Sequence, residues 1–428
     1  MYTRHRDLLP NGLRVVTIDV PHLHSLMLAV YVRVGSRHET PENNGVSHFL
    51  EHMFFRGSRR YPDSTVMNGL VEDAGGCLNG ITMRDQSLYY TPIHPRHLEV
   101  GFDVLGDILT APLVENLEVE REIILEEMMD EVDAQGRDID LGNLAKRLVY
   151  GDHPLALKIA GTTKTVRSLR REQLREHHAR FYTAGNMVVT AAGPVRREAV
   201  LEQAARSFGG VPAGGPISEQ PPAFPQGGPH FLFVAHDESQ TELLLSFPCV
   251  PEDHPDHLPL SLIRSVLDDG LTSWLPLHIV ERRGLAYSVR AGMDIFDDSA
   301  IFEVEAACTP AKVIPVFEEM VRQIARLRDE PLAPEELDRV RRRHRIGLDF
   351  TLDDLNALAG WYGGTELFRT PETFEERLAK LEQVTPQQIQ EVARRTFTLE
   401  NLYVCAVGPA KGRAEAKLQK AVHQAPLR

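Results

Sequence analysis

Short apolar runs open the chain and then give way to apolar residues at helical spacing. Leu13–Val20 follows the turn dipeptide Asn11-Gly12, and Ser25–Val34 reads SLMLAVYVRV; both predict strands. After the polar stretch GSRHETPENNG, Val46, Leu50, Met53 and Phe54 recur at helical spacing. They predict a buried helix over VSHFLEHMFF, capped by Ser47 or by Asn44 further back. Ser64–Ala74 predicts another helix, and Cys77–Tyr90 a hairpin with a wet tip. His97–Thr110 and Leu117–Asp133 are expected to be helical, the second dense in glutamate. Leu169–Phe181 and Glu198–Phe208 predict helices on either side of a strand at Asn186–Ala192.

Residues 209–229, GGVPAGGPISEQPPAFPQGGP, break this pattern, because glycine and proline leave neither a helical nor a strand period. Beyond them the outline repeats: strands at His230–Ala235 and Thr241–Pro248, the polar stretch VPEDHPDHL, and a helix at Pro259–Leu267. The repeat predicts a duplication of one unit. Helices and strands recur without strict βαβ alternation, so the expected class is α+β. The expected organisation is an N-terminal domain over 1–213, a Gly/Pro-rich linker over 214–228 and a homologous C-terminal domain over 229–428.

A chain of 428 residues with 42% hydrophobic content is long enough for two cores. Its net charge of −14 argues against nucleic acid as a partner, since phosphate binding needs a basic face. The arginine-rich run RVRRRHRIGL (339–348) follows Pro334-Glu335-Glu336 and reads as a solvated helix face. The four cysteines Cys77, Cys249, Cys308 and Cys405 form no C-x-x-C pair, which argues against a cysteine metal or redox site. No apolar run of membrane-spanning or signal-peptide length is evident, so a cytoplasmic protein without a membrane partner is expected.

The chemistry concentrates in HFLEHMFFR, residues 48–56. On a helix, residues four apart share a face, so His48 and His52 can offer two imidazoles to one ion. Glu51 lies beside that face, where a carboxylate can act as general base on a metal-activated water. In the second copy, His254 and His257 are three apart with no glutamate at motif spacing, and read as loop histidines. A catalytic zinc site takes three protein ligands and leaves one position open. The stretch ENLEVEREIILEEMMDEV supplies carboxylates for the third: Glu120, Glu126, Glu127 and Glu131 are candidates, with Glu120 and Glu127 seven apart on one helix side.

H-x-x-E-H at 48–52 with E-R-x-x-x-x-x-E at 120–127 resembles the insulinase/pitrilysin family of inverted-motif zinc metallopeptidases, which includes mitochondrial processing peptidase and its short bacterial relatives. LPNGLRVV, GVSHFLEHMFFRGS, GGCLNGITMRDQSLYY, GDHPLALKIAGTTKTVRSL, FYTAGNMVVTAAGPV and RRGLAYSV resemble further family segments, in order along nearly the whole chain. The resemblance implies two homologous α+β domains, each an antiparallel-rich sheet covered by helices. It also implies one Zn2+ per chain, held by His48, His52 and Glu127, with Glu51 as general base. By the same resemblance Glu120 gives catalytic support by orienting ligands or water. Asn79 matches a residue on an edge strand that pairs with substrate main chain. The implied function is an endopeptidase that cleaves peptides or unfolded segments inside a closed dimeric chamber.

One position departs from the family. Relatives carry an arginine seven residues before the tyrosine of R-G-L-A-Y, and the pair grips substrate. Here Tyr287 is present, but the arginine position is Val280. Arg282 and Arg283 fall five and four residues before Tyr287, out of register. The departure implies a heterodimer whose homologous partner supplies the Arg–Tyr pair, or a homodimer that has dispensed with the arginine. The rival class is a non-catalytic peptide-binding or partner subunit that keeps the fold, against which the intact H-x-x-E-H and Glu127 speak.

Overall fold

The computed structural model describes residues 2–215, 217–225, 227–409 and 414–427; Pro216 and Gln226, in the expected linker, lie outside them. In chain order the elements of the first half are β1 (Thr3–Leu8), β2 (Arg14–Asp19), β3 (Leu26–Val32), α1 (Val46–Phe54), α2 (Ser64–Asp73), β4 (Asn79–Thr82), β5 (Ser87–Ile93), α3 (Leu98–Thr110), α4 (Leu117–Glu127), α5 (Leu141–Tyr150), α6 (Thr163–Ser168), α7 (Arg171–Phe181), β6 (Met187–Gly193) and α8 (Arg197–Phe208). Those of the second half are β7 (His230–Ala235), β8 (Thr241–Cys249), α9 (His257–Leu267), β9 (Ser288–Ile295), β10 (Ala300–Cys308), α10 (Val313–Asp329), α11 (Pro334–Asp353), α12 (Leu355–Ala359), α13 (Phe374–Gln383), α14 (Pro386–Thr396), β11 (Tyr403–Gly408) and α15 (Ala414–His423).

The duplication is visible in the strand order. The first sheet runs β1-β2-β6-β3-β5-β4 and the second β7-β11-β8-β10-β9. Without β1 the two coincide: β2 and β7 each pair in parallel with the last strand of their half, and the other pairings are antiparallel. The class is α+β. In each half the strand that enters the long helix α1 or α9 occupies the same central place.

Each sheet buries one face under its own helices. In the first, Leu28, Val30 and Val32 of β3 face a core with Phe49, Leu50 and Met53 of α1, Phe102 of α3 and Phe208 of α8. In the second, Leu243, Leu245 and Phe247 of β8 face Leu262 and Val266 of α9 and Phe317 of α10. Strand residues alternate between faces, so the opposite set must be covered too.

The covering segments do not follow the linker. Contacts divide the chain into one unit of 1–128, 157–219 and 349–372 and another of 129–156, 220–348 and 373–428. Each half of the sequence therefore gives a segment to the other unit, a division that a single cut at 214–228 does not describe. In the second unit, Leu144 and Ala145 of α5 pack on Leu244, Cys405 and Val407, the other face of β8 and β11. Lys146 of α5 is buried, and its ammonium pairs with Glu303 (2.7 Å) and Asp294 (2.9 Å) of β10 and β9. In the first unit, Gly363 sits so close to β3 and β6 that an added Cβ would lie 2.0 Å from Thr190 Oγ1 and 3.0 Å from the Tyr31 ring. Glu366 pairs with Arg6 of β1 at 2.7 Å, and Arg14 of β2 reaches the Leu367 carbonyl at 3.2 Å.

Three local expectations change. The helix expected over Leu117–Asp133 is α-helical only to Glu127 and closes with a 3-10 turn at Met128–Glu131. Beyond it the Asp133 carboxylate accepts from the N–H groups of Gln135 and Arg137 (both 2.9 Å), a turn that competes with helix continuation. The hairpin tip is not wet throughout, because Asp85 is buried and the Arg84 carbonyl accepts from Arg37 N at 2.7 Å. Finally, neither Ser47 nor Asn44 caps α1: the N-cap is Gly45, at φ 96°, with no side-chain bond of its own. The arginine run lies on α11, where Arg339, Arg341, Arg343 and Arg345 pair with Glu336, Asp338, Asp269 and Glu382. No described helix is long and apolar enough to cross a membrane.

The exchanged segments predict that a fragment of residues 1–213 will not fold alone, because it lacks 349–372 and leaves Tyr31 and Thr190 uncovered. Far-UV and near-UV circular dichroism of that fragment, alone and with 349–372 supplied as a fused segment, would check this. A cooperative, native-like melt of the fragment alone would contradict it.

Candidate metal centre

Helix α1 carries the reversed motif, and its start is fixed by a residue that sequence reasoning missed. The Glu39 carboxylate is buried and accepts from Asn44 Nδ2 (2.8 Å), Gly45 N (2.7 Å) and Ser47 N (2.8 Å). A carboxylate at a helix N-terminus satisfies otherwise unpaired N–H groups and complements the helix dipole. Burial pushes this carboxyl up, and the three bonds oppose that. The signal in the sequence was weak, because Glu39 precedes the helix by seven residues. Ser47 instead bonds His177 Nε2 of α7 at 2.9 Å.

From that start, Val46, Phe49, Leu50, Met53 and Phe54 turn into the core and are fully buried. The remaining face presents His48, Glu51 and His52, all half-buried. The two imidazoles lie edge-to-face, with ring centroids 4.7 Å apart. Burial and the neighbouring His52 hold His48 down at about 4, so it is a neutral imidazole near neutral pH, the form that binds metal.

Of the four candidate glutamates, the structure brings Glu127 to the histidines. Its Oε2 lies 3.5 Å from His52 Nε2 and 4.0 Å from His48 Nε2, and the side chain is half exposed. One donor atom each from His48, His52 and Glu127 falls within 4.8 Å of the others. Two imidazoles and a carboxylate match the donor set and count of an open zinc site.

Glu120, two turns earlier on α4, is buried and turns to the back of the site. Its Oε2 is 3.1 Å from His52 Nδ1, and its Oε1 bonds Arg56 Nε. With Nδ1–H donating to this carboxylate, His52 keeps Nε2 for a metal. Arg121 explains why α4 lies where it does: its guanidinium is buried, donates to the carbonyls of Val166 and Leu169 (2.9 Å to the latter), and lies 5.4 Å over the Phe49 ring.

Glu51 is set against β4. Thr82 Oγ1 donates to its Oε2, burial raises its carboxyl, and Thr82 and His52 pull it back. Gly80 permits this approach, because a Cβ there would lie 3.0 Å from Glu51 Cγ and 2.8 Å from the Phe55 ring. Asn79 begins β4, the edge strand of its sheet, and donates to the Cys77 carbonyl and thiol.

Tyr287 lies in the second unit, just before β9. It is 87% exposed, which removes the reading that it merely packs a core. Val280 is half-buried against the second-unit core. Arg283 is tied to the buried Glu319 and Arg282 stands against His278 at 3.4 Å.

The model described as Insulinase (Peptidase family M16) matches residues 14–163, and that described as Peptidase M16 inactive domain matches residues 168–343. A Mycobacterium leprae protein named "uncharacterized zinc protease" is 31% identical over 94% of this chain and 91% of its own length. A Bacillus subtilis protein of the same description is 27% identical over 94% and 97%. This chain belongs to the insulinase family, peptidase family M16. Its fold is shared by a Helicobacter pylori protease (TM-score 0.88, 20% identity, 96% of this chain and 100% of that one) and by a chain of Candida albicans complex III (TM-score 0.81, 15% identity, 94% and 95%).

Substitutions at two positions probe the supports of the site. Glu39→Ala leaves several buried donors at the start of α1 unpaired and is expected to cost on the order of 3 kcal/mol of stability, with Glu39→Gln milder. Chemical denaturation reads this, and an unchanged midpoint for Glu39→Ala would refute the capping role. Glu120→Gln weakens the acceptor on His52 and is expected to lower zinc affinity about 10–100-fold while His48, His52 and Glu127 remain. Competition with a chelator of known affinity measures it; wild-type affinity would show that the bond to His52 carries no weight.

Proposed function

We propose that this chain is a zinc-dependent endopeptidase acting on peptides or unfolded polypeptide segments. The observation that carries the reading is the convergence of His48, His52 and Glu127 within 4.8 Å, with the half-buried Glu51 carboxylate alongside. His48, His52 and Glu127 would hold one zinc ion, which when bound supplies Lewis acidity to a water and to the scissile carbonyl.

The chain's own residues do the rest. Glu51 accepts the proton of the attacking water and returns it to the leaving amine. A carboxyl raised by burial suits that task, since proton transfer is most efficient when the base is not too weak. Glu120 holds His52 in one tautomer and one orientation. Edge strand β4, from Asn79, has a strand neighbour on one side only among the described residues, so an extended peptide can add on the other. That mode reads main chain and favours unfolded segments over folded proteins.

Tyr287, exposed in the second unit, is the substrate-gripping group offered by this chain, and it lacks its arginine partner. Val280 is engaged with the core, and Arg283 is engaged by Glu319, so neither supplies it. The reading that follows is a closed dimeric chamber, formed with a homologous partner chain that brings the missing arginine or by two copies of this chain that dispense with it.

Glu51→Gln is expected to keep one zinc per chain and to lose peptide cleavage by a factor of about 10²–10⁴. Zinc content by atomic absorption and cleavage of an unfolded substrate are measured together. Retained cleavage would overturn the mechanism, and purified protein with neither stoichiometric zinc nor chelator-sensitive cleavage would favour the non-catalytic subunit.

A further inference from the structure

The strand expected to receive the peptide and the base expected to act on it are joined by two contacts. Gly80 and Thr82 are alternate residues of β4, so both turn to the same side of the sheet, the side of α1. Thr82 is buried, and its Oγ1 donates to Glu51 Oε2 at 2.5 Å. Its backbone N–H also reaches the Glu51 carboxylate. At Gly80 the strand comes so near that a Cβ would press on Glu51 Cγ at 3.0 Å and on the Phe55 ring at 2.8 Å.

Phe55, four residues beyond Glu51, is partly buried against the first-unit core, and its ring flanks the same place at Gly80 that Glu51 Cγ does. Thr82 has a fixed address of its own: it pairs with Ser87 on β5, and Ser87 Oγ donates to the Val34 carbonyl at 2.8 Å. The hydroxyl that meets Glu51 is therefore held by the sheet, not by a mobile loop.

We propose that Thr82 is a positioning residue for the reaction: its hydroxyl fixes one carboxylate oxygen of Glu51, so that the edge strand which binds the peptide also sets the orientation of the base. This rests on the endopeptidase reading above. The hydrogen bond commits Oε2 to Thr82 and so fixes the orientation in which the carboxylate meets the proton of the attacking water. A carboxylate without that bond can turn about its terminal torsion, which is broad and nearly two-fold. A misplacement of about 1 Å at a catalytic group can cost on the order of 10²-fold in rate. Because Thr82 touches Glu51 rather than His48, His52 or Glu127, zinc binding should not depend on it.

The test compares Thr82→Val, Thr82→Ala and Thr82→Ser with the parent chain and with Glu51→Gln, using a fluorogenic unfolded peptide, zinc analysis and thermal melts. Thr82→Val and Thr82→Ala are expected to hold one zinc per chain and to keep KM within about threefold. Their kcat is expected to fall about 100-fold, and Thr82→Ser to restore most of it. Two hydroxyl-free variants of different size guard against one of them failing to fold, since a packing defect would follow volume whereas the inference follows the hydroxyl. An unchanged kcat in a folded hydroxyl-free variant overturns the inference, as do loss of zinc in step with kcat and a Thr82→Ser as slow as Thr82→Ala. If Glu51→Gln itself remains active, the endopeptidase mechanism falls. If Glu51→Gln is dead while Thr82→Val is fully active, only the role of Thr82 falls.

Discussion

A buried carboxylate must be bonded or lose its charge, and helix α1 meets two of them. Glu39 closes its N-terminal end by accepting from Asn44, Gly45 and Ser47. Glu120 meets its last turn through His52, and the chain just beyond it through Arg56. Neither belongs to the convergent trio, yet between them they fix where the helix begins and how its final histidine is turned. The five apolar residues of α1 anchor it to the sheet, but an apolar contact is indifferent to rotations of a few degrees. Hydrogen bonds to buried carboxylates are not, so the precision of the His48, His52 and Glu127 arrangement depends on them.

This division explains what could be read in the sequence. The apolar period marked α1 because Val46, Leu50, Met53 and Phe54 face one core, and the His48, Glu51 and His52 face followed from helical geometry alone. The choice of Glu127 among four glutamates did not follow. It depends on α4 ending at Glu127 and on Arg121 docking that helix to the carbonyls of Val166 and Leu169, contacts separated by about 45 residues of chain. The family resemblance supplied what local pattern lacked. Glu39 and Thr82 were not singled out because each acts across a loop or a strand pairing, and neither carries a periodic signal.

Domain organisation shows the same limit at larger scale. A Gly/Pro-rich stretch says where a chain can bend, not which segments pack together. Lys146 illustrates the difference: on α5, in the first half of the sequence, it is buried against Glu303 and Asp294 from the second half. A lone buried ammonium is costly, so the helix that carries Lys146 is bound to go where those carboxylates are. The reciprocal segment, 349–372, is tied to the first unit by Glu366 on Arg6 and by the missing side chain of Gly363. Since both exchanges occupy corresponding places in the two repeats, each after the helices that follow the sheet's hairpin, the exchange is a property of the repeated unit.

The second repeat also serves as an internal control for the first. Helix α9 occupies the place of α1 in an equivalent sheet, and fills it with Leu258, Leu260, Leu262, Ile263, Val266 and Leu267, all buried. Its one histidine, His257, expected in a loop, is instead buried at the first position of the helix, and no second histidine or glutamate follows it there, so the fold has no need of the His48, Glu51 and His52 set at that place. Replacing buried polar groups by well-packed apolar ones is often neutral or stabilising. The polar face of α1, with Glu120, Arg56 and Thr82 arranged to satisfy it, is thus a cost that the architecture does not require. The two halves share a scaffold, and the half that carries the convergent trio departs from the other in the direction that chemistry, rather than stability, would favour.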